Sequence, residues 1–88
     1  MIHVERPDKK RLAELGVLGW HIWEKEISEF PWEYDMEEIC FILEGEALIT
    51  PENGPSVTIK PGDLVTFPKG MKCCWKIIEP IRKHYDFR

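Results

Sequence analysis

From Trp20 to the end of the chain, apolar and polar residues alternate in short runs, most of them bounded by glycine or proline. A period of two is a strand's period, because successive side chains there point to opposite faces, whereas a helix needs 3.6. Trp20–Ser28 is predicted to be a half-exposed strand, and Phe30, Trp32 and Tyr34 form an aromatic face at the same period. Ile39–Leu43 is apolar on both faces, the pattern of a central strand covered from two sides. Gly45 is expected to end that strand and Ala47–Thr50 to resume it. Ser56–Lys60, Leu64–Phe67, Lys72–Ile78 and Ile81–Phe87 complete the set, the last two separated by Glu79-Pro80. Lys60-Pro61-Gly62-Asp63 fits a type II turn, and Phe67-Pro68-Lys69-Gly70 a second tight turn with glycine in fourth place. Glu52-Asn53-Gly54-Pro55 reads as a longer loop, because proline restricts the residue before it. Short strands at about 8–12-residue spacing point to an all-β barrel or sandwich.

One helix is predicted, over Asp8–Leu15. Asp8 supplies the N-cap, Leu12 and Leu15 share a face, and Gly16 fits the left-handed position after the helix. Lys9, Lys10 and Arg11 oppose the positive helix N-terminus, so this helix should be short and should depend on docking. The 88 residues suit one domain, with residues 1–18 expected as an arm carrying the helix and 19–88 as the barrel. Twelve basic against sixteen acidic side chains give a net charge of −4. That balance disfavours sequence-independent nucleic-acid binding, which lysine and arginine dominate. No apolar run approaches the ~20 residues of a membrane helix, and the first residues lack a signal-peptide core, so a cytoplasmic protein with no membrane partner is expected. Cys40, Cys73 and Cys74 are an odd count with no CxxC pair, which reads as reduced thiols.

Two spacings are more specific than any single residue. Glu38 is followed by six residues and Gly45; Gly62 is followed by five residues, Pro68, one residue and Gly70. These resemble the two signature segments of the cupin superfamily, G-x5-H-x-H-x3–4-E-x6-G and G-x5-P-x-G-x2-H-x3-N. The runs Trp32–Gly45 and Pro61–Trp75 look like small stand-alone cupins similar to ethanolamine-utilisation and ureidoglycine-aminohydrolase domains, most of them of unknown function. The resemblance implies a double-sheet jelly-roll barrel, frequently dimeric, with a fold and not a reaction attached to it. It also locates the family's metal ligands. Glu38 matches the glutamate, but the two histidine positions fall on Trp32 and Tyr34, or on Pro31 and Glu33 in the alternative register. The last histidine position falls on Cys73 and the asparagine position on Ile77. The expectation is therefore no cofactor and no His-based metal site.

If Glu38 points inward, Cys40 and Ile42 follow it, Cys73, Trp75 and Ile77 share a face, and so do Phe30, Trp32 and Tyr34. The expected ligand-binding set is Trp32, Tyr34, Glu38, Cys40, Cys73 and Trp75. A carboxylate among indoles suits a small amine- or ureide-like metabolite. Aromatic filler for a small barrel is an equally available reading of the same residues. A buried Glu38 needs a partner, for which Arg82, Lys83 and the Tyr34 hydroxyl are candidates. Glu38 as acid or base and Cys73 as nucleophile are the catalytic candidates. A thiolate zinc site from Cys40, Cys73 and Glu38, with His21 or His84, is a further alternative, and His84 is otherwise expected in a surface ion pair. A purely structural dimer is the third class. In a homodimer, the strand Trp20–Ile27 and the outer residues Ile39, Phe41 and Leu43 would bury against a second copy.

Overall fold

A computed structural model describes residues 1–88. Seven strands and one α-helix form in the order β1 (His3–Glu5), α1 (Lys9–Leu15), a 3-10 turn at Val17–Gly19, then β2 (His21–Lys25) and β3 (Ser28–Glu33). They are followed by β4 (Glu38–Pro51), β5 (Val57–Ile59), β6 (Leu64–Phe67) and β7 (Lys72–Phe87). The fold is mostly β, as the alternating runs imply. The helix starts and stops where its caps require: the Asp8 carboxylate accepts from the Arg11 N–H at 2.9 Å, and Gly16 takes φ 71°.

Two long strands organise everything else. The first half of β4 pairs with β6 and the second half of β7, while its second half pairs with β5 and the first half of β7. β2 joins the far half of β7 and β3 the near half. All seven strands join one sheet, in which β4 and β7 pair along most of their length and carry the others. The main hydrogen-bonded path runs β1-β6-β4-β7-β2 and leaves β1 and β2 as its ends. The N-terminal arm is therefore part of the sheet, where it is clasped by an ion pair of 2.7 Å from Arg6 to the buried Asp63.

Three expectations about strand ends are corrected. Gly45 does not end a strand but bends one: β4 passes through it with φ 90°, and the pairing with β7 shifts register between Ile42 and Ala47. The shift exchanges which residues face inward, from Glu38, Cys40 and Ile42 to Ala47 and Ile49, all buried. Only glycine fits at this crossing, because a Cβ there would overlap the carbonyl of Pro80. Pro80 in turn does not separate two strands. It sits at the matching irregularity of β7, where a missing N–H is tolerated. The stretch Trp20–Ser28 is instead interrupted, turning at Glu26–Ile27 between β2 and β3. The second tight turn is also displaced by one residue: Met71 N–H donates to the Pro68 carbonyl, so Gly70, at φ 85°, is its third residue. The type II turn at Lys60–Asp63 forms as read, closed by a 3.1 Å hydrogen bond.

Candidate functional site

The strands surround an open-mouthed cavity of about 170 Å³, lined by Trp23, Phe30, Trp32, Tyr34, Glu38, Trp75, Lys83, Tyr85 and Phe87. Strand register explains the gathering. Trp23 pairs with Lys83, Phe30 with Trp75, and Glu38 with Phe87, and cross-strand partners share a face. Trp32 and Phe87 are about half exposed and form the lip, whereas Trp75 and Tyr34 are buried at its base.

The chemical centre is an ion pair. Lys83 Nζ donates to Glu38 Oε2 at 2.6 Å, and both side chains are more than nine-tenths buried. The ammonium lies 4.8 Å from the ring centres of both Trp23 and Trp75 and 6.0 Å from that of Tyr85. Three aromatic faces and one carboxylate therefore surround a single positive charge. Each ring face carries the negative end of its quadrupole, which offsets part of the water the ammonium has lost. Of the partners weighed for Glu38, Lys83 is the one the fold supplies. Arg82, one residue away, points outward to Glu24 at 3.5 Å. The Tyr34 hydroxyl is engaged by a different partner: its oxygen accepts from Trp75 Nε1 at 3.1 Å, and its ring stacks on Phe67 at 4.7 Å.

The remaining nominated residues fall as follows. Trp32, Tyr34, Glu38 and Trp75 line the cavity; Cys40 and Cys73 belong to the packed core behind it. Burial, only partly offset by the Lys83 ammonium, pushes the Cys40 thiol up to about 12. Burial, followed by Cys74 and Glu38, pushes the Cys73 thiol up to about 11. Both are protonated at neutral pH, so neither is a ready nucleophile. Burial first, then the Glu38 charge, lifts the Tyr34 phenol above its ordinary range. His84 makes no ion pair; it is buried on the outer face with Nδ1 3.3 Å from the Trp20 carbonyl. His21 is exposed at the start of β2, its ring 5.6 Å from that of Tyr85.

The donor set does not fit the metal that the fold resemblance implies. At the corresponding positions stand an indole, a neutral phenol, a thiol held protonated and a carboxylate already bound to an ammonium. A divalent cation beside Glu38 would meet the Lys83 charge directly. No three His, Cys, Asp or Glu side chains come together as a metal-holding group, and a zinc site would need thiolates where Cys40 and Cys73 are both held protonated.

Trp23, Tyr85 and Phe87 are cavity residues that the sequence alone did not nominate, and Lys83 was expected only as a candidate partner of Glu38. Their signal was available in part: Ile81, Lys83, Tyr85 and Phe87 keep the parity of Trp75 and Ile77, provided that β7 is one strand through Pro80.

Comparisons with known proteins agree with this architecture. The family model for the EutQ-like cupin domain matches residues 12–85. A DUF861 family protein from Thermotoga maritima is 52% identical over 100% of both chains, with a TM-score of 0.98. EutQ from Clostridium difficile is 25% identical over 96% of this chain and 64% of its own, with a TM-score of 0.67. The Salmonella typhimurium protein assigned to ethanolamine utilisation as EutQ is 30% identical over 73% of this chain, with a TM-score of 0.65. This chain spans 51% of that one. No curated protein matches.

Proposed function

This chain belongs to the family of EutQ-like cupin domains, and we propose that the aromatic cavity among its strands, read as the interior of a cupin barrel, binds one small, planar, uncharged metabolite of the ureide or amide kind. The observation that carries this reading is the Lys83–Glu38 pair exposed to an aromatic cavity with an open mouth. An ammonium has three donors, so Lys83 keeps N–H groups beyond the one given to Glu38. Glu38 likewise has acceptor capacity to spare. A urea-type group matches both, with a carbonyl for Lys83 and N–H groups for Glu38, and its flat face suits the indoles. Of the two ligand classes expected from the sequence, the amine is the poorer match, because Lys83 already fills the cationic place. The cavity is close to the ~150 Å³ of an engineered apolar pocket that holds benzene, so the ligand has roughly ten non-hydrogen atoms or fewer.

The test is a thermal-shift or NMR titration with hydantoin and benzamide as uncharged probes and benzylamine as the cationic one. The uncharged probes should stabilise the wild type, and Trp32→Ala, at the half-exposed lip, should weaken the effect while leaving the fold intact. Stabilisation by benzylamine alone, or an equal response in wild type and variant, would contradict the reading.

A further inference from the structure

We propose that Lys83 is a carbonyl-reactive amine, forming a reversible imine with small aldehydes that enter the cavity. The inference rests on the reading of that space as a binding site and adds a covalent step to it. Lys83 Nζ is the only amine lining the cavity, and its side chain is almost wholly enclosed by protein. The other seven lysines are exposed or half-exposed, without comparable surroundings. Imine formation from an ammonium requires a base to take its proton and an acid to expel water, and Glu38 stands at 2.6 Å to do both.

The step balances without any further reactant. Glu38 takes a proton from Lys83, and the free lone pair attacks the aldehyde carbon. The amine's second proton passes to the carbonyl oxygen, giving a neutral carbinolamine. Glu38 then returns its proton to that hydroxyl, the C–O bond breaks, and water leaves through the open mouth. The product, a C=N–H⁺ group, carries the same single positive charge as the ammonium. Trp23 and Trp75, 4.8 Å from Nζ on their ring faces, and Glu38 therefore stabilise the product as they stabilise the starting state. A flat iminium also fits between ring faces. Only the transient neutral amine gives up these interactions, and general base catalysis by Glu38 lowers that barrier. Neither thiol competes, because Cys40 and Cys73 lie behind the cavity wall.

The experiment uses benzaldehyde with cyanoborohydride at neutral pH, followed by peptide mapping of the reduced adduct. Lys83 should be labelled ahead of all seven surface lysines, and Glu38→Gln should slow its labelling by ~100-fold, the lower end of what a positioned acid–base group contributes. Benzamide, which cannot form the adduct, should protect Lys83 in competition. Labelling of Lys83 no faster than of the surface lysines would overturn the proposal. If benzamide still perturbs the cavity residues in an NMR titration, only the covalent step fails. If it does not, the binding reading fails as well. A Glu38→Gln variant that is folded, by its NMR spectrum, and labels as fast as wild type would also overturn it.

Discussion

A lysine and a glutamate withdrawn from water are costly to each other when either is missing. The Lys83–Glu38 pair is buried on both sides, so Lys83→Met should leave an unpaired interior carboxylate and cost ~3–5 kcal/mol in chemical denaturation. The double variant Glu38→Leu/Lys83→Met should recover most of that loss, since replacing a whole buried pair by apolar groups is commonly near neutral. Equal losses in the single and double variants would show that the two residues are not coupled. The thiols give a second expectation. An acid whose native pKa is raised favours the folded state below its unfolded value and loses that advantage as pH rises towards the native one. Cys40 moves from 9.0 to about 12, so stability should decline as pH climbs from 9 towards 12, by roughly 4 kcal/mol for this group alone. Cys40→Ala should flatten that part of the profile. At pH 8, iodoacetamide should modify Cys74 first and reach Cys40 and Cys73 only on unfolding, since Cys74 alone of the three is not buried. Part of this scale was legible in sequence. The family resemblance implied an inward Glu38, parity grouped Cys40 and Ile42 with it and Trp75 with Cys73 and Ile77, and burial called for a partner among Arg82, Lys83 and Tyr34. The choice of Lys83 over Arg82 was not legible, because it depends on reading β7 as continuous.

Continuity of β4 and β7 is what the element scale contributes. Gly45 and Pro80 look like stops to local rules, and each would be one in an isolated strand. Facing each other, they make a shared bend instead, across which the pairing of β4 with β7 shifts register. The parity change in β4 then follows, and with it the inward placement of Ala47 and Ile49. Gly45→Ala should cost at least ~2 kcal/mol from the positive φ alone, before the overlap with Pro80 is counted. A thermal midpoint within a degree of wild type would refute the bend's dependence on glycine. Strand segments bounded by true turns, such as Leu64–Phe67, were readable to the residue because the hydrogen bonds that close those turns are local. The bend was not, because its cause lies about thirty-five positions away along the chain.

At the scale of the molecule, the fold was legible from alternation and from two spaced motifs, whereas the content of the cavity had to wait for register. No helix is long and apolar enough to cross a membrane. Leu18, Ile22 and Ile27 stay exposed, and β2 is an end of the sheet path. An open strand edge beside apolar side chains is what a second copy could cover. A homodimer through this face should sediment at micromolar concentration as twice 10.4 kDa, and a monomer would contradict it. The cation paired with Glu38 in the cavity is the protein's own Lys83. A crystal structure of protein grown with excess Mn²⁺, with anomalous data collected, tests whether a metal ion can take that place. Lys83 Nζ should lie within hydrogen-bonding distance of Glu38, with no anomalous peak in the cavity. A Mn²⁺ ion bound to Glu38, with Lys83 turned away, would contradict it.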